Sequence, residues 1–200
     1  MISPATPYPK LAGKAPADLA ERLKLDANAR ALLEPGQTVD GYVASLNAAG
    51  LYPASMAVLA HALPKREAVW WACTSVRRAG APQPGSPDLE ALAAAENWVR
   101  RPTEENRQAA RLAADKVDTD SPSNWAAMAA FWSGDNMAPA GAPTITPGDG
   151  LTGKAVTGAV TLAAVRPEPE RAPARYLGFT AIALDIARGG DGRAASGSAT

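Results

Sequence analysis

Apolar residues recur along this chain at three- and four-residue spacing, the period that puts them on one face of a helix, and no long stretch alternates as a half-buried strand would. Proline, glycine, serine and threonine punctuate the pattern and divide it into short helices. A first helix is predicted near Pro16–Leu25, followed by a short turn through Asn28–Leu33 that Pro35-Gly36 stops. Thr38 can cap a helix running to about Ala48, with Gly50 suited to its left-handed C-terminal position. Pro53 starts the next, through Leu63, and Pro64 begins one that ends near Ala79-Gly80. Ser86-Pro87 and Ser121-Pro122 each place a capping hydroxyl before a proline whose missing N–H is harmless at the first helical position. They open helices ending near Arg100 and at Ser133-Gly134; between them Thr103 caps another, with Glu104 and Glu105 favourably placed in its first turn.

The texture then changes. Asp135–Gly150 holds Pro139, Pro143 and Pro147 among several glycines and reads as a connector over the surface. Two further helices, Thr152–Val165 and about Ala172–Arg188, are closed by Gly189-Gly190. The resulting division is an extended arm over residues 1–14, a helical bundle over 15–134, the connector over 135–150, two C-terminal helices over 151–190 packing into the same domain, and a disordered tail over 191–200. Trp71, Trp98 and Trp125 fall 27 residues apart, but their flanks, VWWAC, ENWVR and SNWAA, share little else. Helices of similar length in a bundle account for that spacing better than a repeat does.

Helical faces separate interior helices from covering ones. Asn124–Ser133 carries no charge, with Trp125, Met128 and Trp132 on one stripe and Ala126, Ala127 and Ala130 largely opposite. Thr152–Val165 has the single charge Lys154 and offers Gly158 for a close crossing. Tyr176, Phe179, Ile182 and Ile186 share one side of the last helix, and Leu177 and Leu184 face another. These three helices are expected to form the centre. Lys65–Ala79 is the odd one. Its apolar arc runs through Ala68, Val69, Ala72, Cys73, Val76 and Ala79, yet Trp70 projects beside Arg66 and Arg77, and Trp71 beside Glu67 and Arg78. Two readings compete: the helix is packed on three sides and each arginine lies over an indole as a cation–π pair, or Trp70, Trp71, Arg66, Arg77 and Arg78 form a partner-binding patch of the residue types that dominate interface hot spots.

Composition supports the helical reading. The chain of 200 residues contains 46 alanines and 5 tryptophans, and alanine is the best helix former. The expected fold is all-α, a single-domain bundle of about eight or nine short helices with no significant sheet. Twenty basic residues balance 20 acidic ones, so no electrostatic footprint for nucleic acid is expected. The longest nearly uncharged apolar stretch, Ala155–Val165, is 11 residues against the roughly 20 a bilayer span needs, so no membrane partner is expected. Met1–Lys10 has neither a basic start nor an apolar run, and the single cysteine, Cys73, has no partner for an internal disulfide; both point to a cytoplasmic protein.

Chemistry is sparse. Gly148-Asp149-Gly150-Leu151-Thr152-Gly153-Lys154-Ala155 reads as G-x-G-x-x-G and nearly as G-x-x-x-x-G-K-[ST], patterns that aim backbone N–H groups at phosphate. Both need a preceding strand, prolines stand there instead, and Ala155 lacks the hydroxyl that would hold Mg²⁺, so a flexible loop feeding a capped helix is the better reading. One His and one Cys exclude a zinc site of the usual composition. His61 and Cys73 lie on different predicted helices, and Cys73 reads as a buried structural thiol. Glu67 and Asp185, on apolar helices, would need partners such as Arg78 or Arg188. No cofactor is expected, and no catalytic residue is assigned.

Four segments carry a resemblance: Pro64–Cys73, Ala94–Arg100, Asn124–Gly134 and Leu184–Gly190. Together they resemble an uncharacterised family of small bacterial proteins, a domain of unknown function associated with type VI secretion gene neighbourhoods, over about residues 50–190. The resemblance implies a non-enzymatic cytoplasmic accessory protein, an adaptor or chaperone whose partner is another protein such as a secreted effector or spike component. Two alternatives stay open: a small-molecule or nucleotide-binding enzyme using Gly148–Lys154 or Cys73, and a structural helical component of a larger assembly.

Overall fold

The computed structural model describes residues 7–138, 143–166 and 168–193. The expectations for residues 1–6, 139–142 and 194–200 of the arm, connector and tail lie outside them. Among the described residues there are ten α-helices, nine of them seven residues or longer, and no strand. They are α1 (Pro16–Arg22), α2 (Ala27–Arg30), α3 (Val39–Ala48), α4 (Tyr52–Ala62), α5 (Lys65–Gly80), α6 (Pro87–Arg100), α7 (Glu104–Ala114), α8 (Pro122–Phe131), α9 (Leu151–Val165) and α10 (Ala172–Arg188). The chain is a single all-α domain. None of these helices is long and apolar enough to cross a membrane.

Local chemistry starts and stops the helices where the sequence places its signals. The hydroxyls of Thr38, Ser86, Thr103 and Ser121 accept backbone N–H groups from Gly41, Leu89, Asn106 and Ser123. Asp26 caps α2 in the same way through Ala29 N–H. Each cap satisfies a donor that the first helical turn leaves orphaned, worth about 1 kcal/mol. Gly50 and Gly189 take left-handed conformations, φ +73° and +109°, just past α3 and α10.

One core joins all ten helices. α9 lies along α8 and also touches α4, α5 and α10, while α5 packs against α6, α8, α9 and α10. On α8 the face turned fully inward is the alanine face, Ala126, Ala127, Ala129 and Ala130, all at 0% exposure. Trp125, Met128 and Trp132 are only half-buried, with the two indoles edge-to-face at 6.3 Å between centroids. Small side chains let α9 approach, and the Trp125 ring then fills the space beside Gly158, where a Cβ would meet it at 3.2 Å. On α10, Tyr176, Phe179, Ile182 and Ile186 are buried as expected; Leu177 is not and stands 48% exposed.

The arm departs from the extended expectation. Pro9–Leu11 forms a single 3-10 turn that buries Leu11 against the bundle. Lys10 pairs with Glu67 at 3.2 Å, and the Arg188 guanidinium lies over the Tyr8 ring at 5.2 Å while donating to its hydroxyl. Glu67 and Arg188 are thus engaged by the arm rather than by the partners expected from their own helices. At the other end Asp191–Arg193 fold back: Gly192 N–H donates to the Asp185 carboxylate, and Gly192 packs on Ile182 and Ile186. In the connector, Asn136 Oδ1 accepts the N–H groups of Ala138 and Ile145, holding an exposed strap in place.

Candidate functional site

The five residues expected to make a Trp–Arg surface part company. Trp71 is fully buried and its Nε1 donates to the Phe179 carbonyl oxygen at 2.8 Å. It is core, because α5 meets neighbours on more than one side and α10 covers the flank that the apolar arc left open. Arg66 is exposed and donates from Nε to the Val99 carbonyl at 2.6 Å, tying α5 to the end of α6. Neither Arg66 nor Arg77 stacks on Trp70, and Arg78 does not stack on Trp71. The guanidinium over Trp70 is that of Arg193, 5.7 Å from the ring centroid, while Trp70 Nε1 donates to Asp191 O at 2.8 Å. Arg77 is drawn instead to Glu96 of α6 by two hydrogen bonds, Nε to Oε1 and Nη2 to Oε2 at 2.9 Å.

Trp70, Arg77 and Arg78 do share one feature, a groove of about 910 Å³ between α5 and α10. Thr74 and Ala79 continue the α5 wall, and Ala174, Gly178, Phe179 and Ile182 supply the α10 side. Glu96 and Arg100 of α6 close one end; the turn before α10 adds Glu168 and Arg171, and the folded-back segment adds Gly192 and Arg193. Gly178 faces open space: a Cβ built there meets nothing within 4 Å. Glycine in a helix interior costs about 1 kcal/mol relative to alanine, and no neighbour requires it here. Its effect is to leave the α10 wall bare.

The groove is strongly basic although the whole chain is neutral. Six guanidiniums, from Arg77, Arg78, Arg100, Arg171, Arg175 and Arg193, face two carboxylates, Glu96 and Glu168, an excess of four positive charges. Each carboxylate sits between two arginines. The Glu96 side chain, 7% exposed, takes Arg77 and, at 3.7 Å, Arg100. The hydrogen bond that Arg77 donates to Glu96 raises the arginine's pKa and holds its charge. Glu168 takes Arg175 at 2.8 Å and Arg171 at 3.2 Å, and Arg175 is further fixed by donating to the Ala164 and Glu168 carbonyls. Arg78 and Arg193 are left over. Both are exposed, and neither guanidinium has a carboxylate partner among the described residues.

The other candidates resolve into packing. The glycine-rich segment opens α9 from a proline-bearing strap, with no strand before it among the described residues. His61 lies against its first turn, and a Cβ on Gly153 would come within 2.6 Å of the imidazole. The Thr152 hydroxyl donates to Trp132 O, and Lys154 is exposed. Lys14, Arg22 and Lys65 share a smaller cavity of about 390 Å³ with this turn. His61 Nδ1 is 2.9 Å from Ala57 O, and burial, aided by Arg22 and Lys154, lowers its pKa against the opposing pull of backbone hydrogen bonds at Ala57 and Gly150. Cys73 is fully buried; burial and the nearby Glu96 charge push its thiol far up, away from the reactive thiolate. Among the described residues no three His, Cys, Asp or Glu side chains cluster as metal ligands.

Fold and site together define a one-domain all-α protein with an arginine-lined groove walled by its fifth and tenth helices. The chain belongs to DUF6931, a family of unknown function, which covers residues 42–187. Those bounds take in both helical walls of the groove and exclude Gly192 and Arg193. No curated protein and no solved structure matches the chain.

Proposed function

We propose that the protein is a non-enzymatic adaptor that holds a partner protein in the groove between α5 and α10. The observation that carries this reading is the concentration of Trp70 and six guanidiniums around one open groove, in a chain whose charges cancel as a whole. Arginine and tryptophan are the residue types that most often supply interface binding energy. The groups that usually perform chemistry are otherwise engaged: Cys73 is sealed in the core, and the His61 ring is packed on α9. The resemblance to small bacterial proteins near type VI secretion genes fits a cytoplasmic accessory role, in which the partner is a secreted effector or spike component.

Site-directed photocrosslinking in the native host tests the proposal. A photoreactive side chain at position 78 is expected to capture one protein species, and the same group at position 112, on the exposed face of α7, is expected not to. Equal capture at both positions, or none at position 78, would overturn it.

A further inference from the structure

Resting on the reading of the groove as the partner surface, we infer that its occupant is an acidic peptide segment, one bearing several Asp or Glu side chains, whose carboxylates seat on Arg78 and Arg193. The protein's own carboxylates show the mode of recognition. Glu96 and Glu168 are each gripped by a pair of groove arginines, at 2.9 Å for Arg77 Nη2–Glu96 and 2.8 Å for Arg175 Nη2–Glu168. Guanidinium forks match carboxylate geometry, and such charge-assisted bonds are about twice as strong as neutral ones. Arg78 and Arg193 present the same chemistry with no carboxylate supplied by the described chain.

Charge and shape select among anions. A single small anion leaves most of the excess of four charges unanswered, because the guanidiniums come from α5, α6, the turn before α10, α10 itself and the segment after it. An extended segment with several carboxylates answers them together. A nucleic acid fits poorly because the ring of Trp70 is engaged by Arg193 and Phe179 is fully buried, so no open aromatic face is left for base stacking. Ala174, Gly178 and Ile182 give the segment a small-residue and apolar wall, and the missing side chain at Gly178 lets its backbone approach α10.

The test titrates the full chain, at low ionic strength, with a fluorescently labelled glutamate-rich peptide, its glutamine counterpart and a short oligothymidylate, with inorganic phosphate as competitor. The glutamate peptide is expected to bind and the glutamine peptide to bind at least about tenfold more weakly. Reversing Arg78→Glu with Arg193→Glu is expected to weaken binding by about tenfold or more, while Lys24→Glu with Lys116→Glu, an equal charge change elsewhere on the exposed surface, leaves it within about twofold. Gly178→Leu fills the groove where space is open and improves helix propensity, so it is expected to abolish binding with an undiminished melting temperature. Equal affinity for the glutamine peptide, tighter binding of oligothymidylate, displacement by equimolar phosphate, retention of binding in Gly178→Leu, or no binding at all would each overturn the inference. Failure here with a crosslinked partner still captured at position 78 rejects the acidic occupant alone; loss of that capture rejects the groove as the partner surface.

Discussion

The indole nitrogen of Trp71 and the carbonyl oxygen of Phe179 meet at 2.8 Å in the interior, joining the two helices that wall the groove. This bond ties the two helices together in the core, whereas Trp70, one residue earlier, lines the groove. Trp71→Ala removes the bulkiest fully buried side chain and is expected to cost about 3–5 kcal/mol. Trp70→Ala loses a half-exposed ring and one bond to Asp191, and is expected to cost about 1 kcal/mol. Chemical denaturation of the two variants checks the contrast; equal costs would contradict the placing of Trp71 in the core and Trp70 in the groove wall.

His61 and Gly153 form a second such pair. A Cβ at position 153 would stand 2.6 Å from the imidazole, so Gly153→Ala is expected to destabilise by about 1–3 kcal/mol despite alanine's better helix propensity. In the His61→Ala background the obstacle is gone, and the same substitution is expected to be neutral or stabilising. A double-mutant cycle reads the coupling.

The single histidine also makes a clean pH probe. Burial lowers its folded-state pKa below the ordinary 6.5, so the unfolded chain binds the proton more readily between the two values. Stability is therefore full above about pH 6.5 and declines as pH falls toward the folded pKa. The melting temperature is expected to drop across that window in the native protein and less in His61→Gln, with the imidazole resonance titrating below 6.5. A midpoint above 6.5 would contradict the packing described.

Cys73 offers a chemical check on the core. With no exposed surface and a thiol pKa raised by burial, it is expected to resist a thiol reagent at pH 8 in the folded protein and to react fully in denaturant. Rapid modification of the folded chain would show that α5 is not packed as described.

The helices were legible because their signals are local: Thr38, Ser86, Thr103 and Ser121 each cap the turn that follows them. The inward face of α10 was legible for the same reason, since period alone groups Tyr176, Phe179, Ile182 and Ile186. Trp71 could not be assigned to core or surface from the sequence, because a helical arc presumes one buried side and α5 is covered by partners from positions far along the chain. The glycines at 150 and 153 look like a phosphate loop in sequence, but they answer to an imidazole on α4 that no local pattern announces. The groove was invisible as a whole. Arg77 could be flagged beside Trp70 and Arg78 beside Trp71, yet Arg100, Arg171, Arg175 and Arg193 join them only when α6, α10 and the folded-back end come together. Their charge is hidden in a balanced total of 20 and 20.

A partner held in the groove enters beside Trp70, and the five indole N–H resonances of the labelled protein test that directly. On adding the glutamate-rich peptide or the crosslinked partner, the Trp70 indole signal is expected to shift, because its hydrogen bond to Asp191 lies at the groove edge, while Trp125 and Trp132 on α8 and its C-terminal turn stay unchanged. A Trp70 signal that holds still while Trp125 or Trp132 moves would place the binding surface elsewhere and contradict the account.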